Sequence, residues 1–176
     1  MATPISKPNA DEHLPYYARY IDLVPGVDAM PLLTVRPSRA HTALAHLSDA
    51  RGLHRYETGK WSVKDVILHM TDCERVMSHR ALRFARADLA PLPGFDENAW
   101  APVAAADART VADLVGELAA VRAATVALFA SLDLDATLRR GEANGAAVSV
   151  RALAWIIAGH EIHHLNVLRD RYGVGG

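Results

Sequence analysis

Trp61-Ser62-Val63-Lys64-Asp65-Val66-Ile67-Leu68-His69-Met70-Thr71-Asp72-Cys73-Glu74-Arg75 is the stretch from which the fold reads most directly. Ser62 followed three residues later by Asp65 is a capping box: Ser62 accepts from a free backbone N–H and Asp65 reaches back. Apolar residues then recur at Val63, Val66, Ile67, Met70, Cys73, Val76, Met77 and Phe84, a helical period. Downstream, Thr110 with Asp113 predicts another helix start, with an apolar stripe at Val111, Leu114, Val115, Leu118, Val121, Val126 and Phe129. A last helix is predicted after Ser149, running to about Tyr172, with Gly173 as its stop. Upstream, Ser38 to Leu53 reads as the first helix. Alternating strand patterns are scarce. Four helices joined by loops predict an all-α fold, a four-helix bundle, with a mixed α+β fold as the alternative.

The remaining segments read as connections. Residues 1–10 are polar and expected to be flexible, and 11–176 are expected to form one helical domain. Leu14 to Leu23 predicts a short helical piece, followed by a turn at Pro25-Gly26 and a second start near Asp28. Ala90 to Pro102, with three prolines and Gly94, reads as a long ordered loop that either covers a site or serves as a packed connector. Arg140 to Ala147 reads as a turn.

Composition excludes several functions. The chain has 176 residues, 51% of them hydrophobic, enough for one sizeable core. Nineteen Lys and Arg against 20 Asp and Glu give a net charge of -1, with no block of like charges. That argues against nucleic-acid binding, a polybasic membrane anchor or an acidic tail. The single cysteine, Cys73, rules out an intrachain disulfide or a cysteine zinc finger. The longest apolar run, Leu153 to Ala158, is too short to cross a bilayer, and no secretory pattern opens the chain. A cytoplasmic location is expected, and a homodimer is expected because bundles often pair through an apolar face.

The nine histidines carry the functional signal. His160 and His164 are four apart, so their side chains share one helix face with Cβ atoms roughly 5–6 Å apart, a gap one metal ion can bridge. Carboxylates or carbonyls would satisfy such a pair as well. His69 falls near the core-facing side of the capped helix, where it is either a satisfied core residue or a third ligand. Facing helices of a bundle are where such ligands meet. Three imidazoles would leave coordination positions for water or substrate, the pattern of a catalytic rather than a structural site. His163 lies about 60° from His160 and about 100° from His164 around the helix, which suits a supporting or solvent-facing role. His41, His46, His54 and His79 have no partner at metal-binding spacing, and nothing local places His13.

His160-Glu161-Ile162-His163-His164 also matches the metalloprotease pattern H-E-x-x-H, in which Glu161 would activate a metal-bound water. The match is short, and a peptidase needs an edge strand to align its substrate, which this sequence does not offer. Asp72, three residues after His69, either orients a ligand or pairs with Arg75. Arg80 and Arg83 are candidates for binding an anionic substrate or a thiol cofactor, against a solvated face of ion pairs. Cys73, one turn past His69, reads as core or as a thiolate.

Gly59 to Arg75 resembles the second-helix signature of the DinB-like superfamily, and Gly159-His160-Glu161-Ile162-His163-His164-Leu165-Asn166-Val167-Leu168 resembles its fourth helix. The two blocks stand in the right order, and the resemblance spans roughly Ser38 to Tyr172. It implies a four-helix bundle of up-down-down-up topology. It also implies a divalent metal held by His69, His160 and His164, with zinc or nickel favoured over iron or copper. Some relatives are thiol-dependent enzymes, mycothiol-dependent maleylpyruvate isomerase and bacillithiol S-transferases among them. The resemblance therefore implies a metal-dependent transferase or hydrolase acting on a small molecule, with a low-molecular-weight thiol as a candidate cofactor. A non-catalytic metal-binding or stress-response module is the alternative.

Overall fold

A computed structural model describes residues 3–35 and 38–174. Three long helices dominate: α5 (Val63–Ala85), α7 (Val111–Ala130) and α9 (Val150–Tyr172). Each begins at the cap its sequence predicts. Ser62 Oγ accepts from Asp65 N at 3.0 Å while Asp65 accepts from Ser62 N at 2.9 Å. Thr110 and Ser149 cap α7 and α9 in the same way. α9 ends where Gly173 takes a left-handed conformation, and Val174 N donates back to Leu168 O at 3.0 Å.

α5 packs along both α7 and α9. The fourth place in the bundle is not one helix. It is shared by α1 (Ala18–Ile21), which lies on α9, and by α2 (Met30–Thr34) and α3 (Arg39–Leu44), which lie on α7. The helix expected over Ser38 to Leu53 is broken, because Ser48 starts a new turn rather than continuing the old one. Its Oγ accepts from Arg51 N at 3.2 Å and opens α4 (Asp49–Gly52). Serine competes with helical bonding in this manner.

Two further expectations are corrected. The Ala90 to Pro102 segment is not all loop, since Asp96 caps α6 (Glu97–Ala104) by accepting from Asn98 N and Ala99 N. The Arg140 to Ala147 turn is a β-hairpin, β1 (Arg140–Ala143) against β2 (Ala146–Ser149), and α8 (Leu134–Leu138) precedes it. Asn144 and Gly145 both have positive φ, 55° and 72°, as a two-residue hairpin turn requires. Residues 3–9 are also anchored, against the expected flexible terminus. Ile5 is fully buried, its N–H donates to Asp28 at 2.8 Å, and its carbonyl accepts from the Trp155 indole at 2.9 Å. Met1 and Ala2 lie outside the described residues.

The interior has two apolar halves. Trp155, Phe84, Phe129 and Ile21 fill one, and Ile67, Leu114, Leu168 and Leu44 fill the other. Between them the three long helices carry a polar belt: Glu74 on α5, Arg122 on α7, and Glu161 with its neighbouring histidines on α9. Among the described residues, no helix is long and apolar enough to cross a membrane.

Candidate metal centre

α5 and α9 lie side by side in this belt, and that contact brings His69 against His160 and His164. One ring nitrogen from each lies within 4.8 Å of the other two. The ring centroids are 5.0 Å apart for His69 and His160, 4.8 Å for His69 and His164, and 4.4 Å for His160 and His164. The Nε2 atoms of His160 and His164 face each other at 3.0 Å. Trp61 packs beside His69 at 4.8 Å, and Tyr20 of α1 packs edge-on against His160 at 5.3 Å.

The electrostatics favour ligation. Burial lowers the pKa of His69 to about 4, although the Glu97 carboxylate pulls the other way. Burial, then the neighbouring histidines, push His160 and His164 well below the ordinary imidazole range. All three rings are therefore neutral at pH 7, the form that binds metal. The protein alone also leaves them short of partners. His164 Nδ1 is buried with no hydrogen bond, a condition costing about 1–3 kcal/mol. The other nitrogen of that ring meets only another imidazole. Convergent neutral imidazoles with an unsatisfied nitrogen fit a divalent ion.

His69 and His160 face a cavity of about 270 Å³. Cys73, Met77 and Arg80 of α5, Tyr17, and Phe95 of the 90–96 segment are among the residues that line it. That segment is pinned: Leu92 N donates to Glu142 O and Asn144 N donates to Leu92 O, both at 3.0 Å. The segment is thus a pinned connector that contributes Phe95 to the cavity lining.

The other sequence candidates disperse. Asp72 pairs with Arg75 at 3.4 Å and makes no bond to His69. His163 turns to Tyr20, with centroids 5.2 Å apart. Arg83 pairs with Asp88 and does not line the cavity. Arg80 is buried in the cavity wall. Glu161 accepts from Arg122 Nη1 of α7 at 2.9 Å and from Ala40 N of α3 at 3.3 Å. With both oxygens engaged, the H-E-x-x-H pattern lacks the free general base that a peptidase of that type needs. Burial pushes the Cys73 thiol up to about 12, helped by Glu97 and Asp72, so it is a poor nucleophile although Sγ lies 3.6 Å from His69 Nδ1.

Sequence reading missed Arg122, which also donates to both oxygens of Glu74 at 2.8 and 2.9 Å. Burial disfavours its charge, but the two carboxylates outweigh that and keep it protonated. The signal was present. The buried face of α7 runs Val111, Leu114, Val115, Leu118, Arg122, Thr125 and Phe129, so arginine stands in phase with the apolar stripe. Glu97 was missed as well. It lines the cavity, and among the described residues no cation lies within salt-bridge distance of it.

The chain is thus a helical bundle with three convergent histidines, two of them lining a small cavity. The sequence model of the DinB superfamily matches residues 32–168, and the chain belongs to that superfamily. Its fold is similar to that of YfiT from Bacillus subtilis, described as a probable metal-dependent hydrolase with an unusual four-helix bundle topology. The TM-score is 0.68, with 16% identity, over 95% of this chain and 93% of that one. At that identity the likeness speaks for the fold. No curated protein matches the sequence.

Proposed function

We propose that the protein is a metal-dependent enzyme for a small-molecule substrate, with His69, His160 and His164 holding a divalent ion, zinc or nickel by preference. The observation that carries the reading is the convergence of three neutral imidazoles, two of which, His69 and His160, line one cavity. Among the described residues, no fourth histidine, cysteine or carboxylate joins their cluster. A structural zinc site would be closed by four protein ligands. A divalent ion bound there would supply Lewis acidity and make a nearby water or thiol more acidic.

The chain's own residues fill the remaining roles. Cys73, with its raised pKa, is unsuited to attack, so the nucleophile comes from outside, as water or a low-molecular-weight thiol. Glu97, which has no cation partner among the described residues, accepts the proton that the nucleophile gives up. Phe95 and Met77 give the cavity apolar surface against which a substrate body would pack. The hydrolase described for YfiT favours water, and the thiol is the second form of the same reading.

The test is the metal content of the wild type and of a His69→Ala, His160→Ala, His164→Ala triple variant. Near one equivalent in the wild type and none in the folded variant is expected. A wild type that binds no divalent ion after reconstitution overturns the reading. Glu97→Gln is expected to keep the metal and lose turnover.

A further inference from the structure

Arg80 has surroundings that the protein alone does not complete. It is 3% exposed, yet among the described residues no carboxylate lies within salt-bridge distance. Its partners are neutral: the Pro93 carbonyl at 2.8 Å, the Met77 sulfur at 3.7 Å, the face of Phe95 at 5.8 Å, and the Tyr17 hydroxyl beside it. Among the described residues the other arginine as deeply buried, Arg122, is held by two carboxylates. A desolvated guanidinium without a counter-charge is costly, and its planar fork matches a carboxylate. Two of the cavity's carboxylates, Glu74 and Glu161, are already taken by Arg122.

The position of Arg80 gives the ligand its length. His69, Cys73, Met77 and Arg80 recur at helical spacing and line the same cavity. Eleven residues of helix place Arg80 about 16 Å along the axis from His69. Arg80 reaches back to Met77 while the His69 ring lies beside Cys73, so the guanidinium and the imidazole are separated by on the order of 10 Å. Between them the wall is apolar and aromatic, with Met77, Ile156, Ile157, Tyr17 and Phe95.

We infer that the cavity binds a small monocarboxylate with a compact apolar body, its carboxylate on Arg80 and its reacting end at the histidines. This deepens the metal-enzyme reading and rests on the same cavity. Arg122 also lines the cavity but is matched to two carboxylates, and Glu97 forms no ion pair with Arg80, so among the described residues Arg80 is the one unmatched guanidinium of the wall; it suits one negative charge, and the cavity volume suits a compact molecule.

The probes are 3-phenylpropionate and its neutral isostere 3-phenylpropionamide, titrated into the full-length protein in zinc-loaded and chelator-treated forms. The carboxylate is expected to bind at least tenfold more tightly than the amide in both forms. Arg80→Gln is expected to bring the ratio to about one, and Arg80→Lys to restore part of it. Should Arg80→Gln fail to fold, the Arg80 Nε–Hε resonance of the wild type decides, moving with the carboxylate and not with the amide. Equal binding of the two probes, binding of neither, or a preference that survives Arg80→Gln overturns the inference. A preference seen only with zinc places the carboxylate on the metal, which overturns the inference and leaves the metal site standing. A preference that follows Arg80 in a protein unable to hold metal supports it while the metal reading fails.

Discussion

Gly159 stands where α9 passes the backbone of α1. A Cβ at this position would lie 2.0 Å from the Tyr20 carbonyl oxygen and 2.5 Å from its carbon, against 3.4 Å for ordinary contact. Gly159→Ala therefore forces a backbone, not a flexible side-chain tip, to retreat by more than an ångström. Overpacking of this kind costs roughly 1–3 kcal/mol, and the better helix propensity of alanine returns about 1 kcal/mol. Because the obstacle is backbone, a net loss of about 2 kcal/mol is expected, or about 4–8 °C in Tm for a chain of this size. Gly116, on the exposed side of α7, is the internal control, since a Cβ there meets nothing within 4 Å. Gly116→Ala keeps only the propensity gain, and its Tm should rise by about 2–4 °C. The assay is thermal unfolding by circular dichroism, both variants in one buffer with the same metal loading. A Gly159→Ala protein as stable as the wild type, or two variants shifting in the same direction, would refute the packing argument. The displaced element also carries Tyr20, whose ring lies against His160, so weaker metal retention should accompany the lower Tm.

Arg122→Met leaves Glu74 and Glu161 buried without a counter-charge, and a loss of about 3–5 kcal/mol in urea unfolding is expected. Adding Glu74→Gln and Glu161→Gln should recover part of it, and no recovery would mean the cost lies in lost packing. For Glu12, burial alone would raise the carboxyl, but hydrogen bonds from Arg151, Ser149 and the Asn9 backbone, with the Arg151 charge, hold it at about 2 against 4.5. A lowered folded pKa means stability that is complete above pH 4.5 and lost as pH falls through about 2. Glu12→Gln should flatten that acid limb without changing the slope near neutrality, and parallel curves for the two proteins would contradict the pairing. Gly145→Ala puts a side chain at φ 72° and should cost about 1 kcal/mol, read as a lower urea midpoint with an unchanged slope.

The parts of the fold that local chemistry determines were legible. Ser62, Thr110, Ser149 and Gly173 bound the three long helices in the sequence as they do in the structure, because caps act within one turn. The histidines were legible because His160 and His164 share a face by spacing alone. Two other features follow from tertiary contacts that no local pattern reports. The short helices α1, α2 and α3 share the fourth place of the bundle because α1 packs on α9 while α2 and α3 pack on α7. Ile5 is buried because Asp28 and Trp155 reach it from distant positions. The hairpin is a different case: Asn144-Gly145 announces it, but strands of four residues are too short for alternation to show.

The five residues from His160 to His164 show why a motif must be read with its helix phase. A step of about 100° per residue sends neighbours to different elements. His160 and His164 turn together toward α5, His163 turns to Tyr20 on α1, and Glu161 turns to Arg122 on α7. The pattern that suggests a zinc protease is thus divided between a histidine cluster and a buried ion triad. The two halves need each other mechanically. The triad ties α5, α7 and α9 in the same polar belt that carries the histidines, and a buried pair of this kind adds little net stability over apolar packing. Its consequence is register. Sliding α9 by one residue would swing Glu161 away from Arg122 and His160 away from His69 together, so the ion triad and the histidine cluster favour the same alignment of the helices.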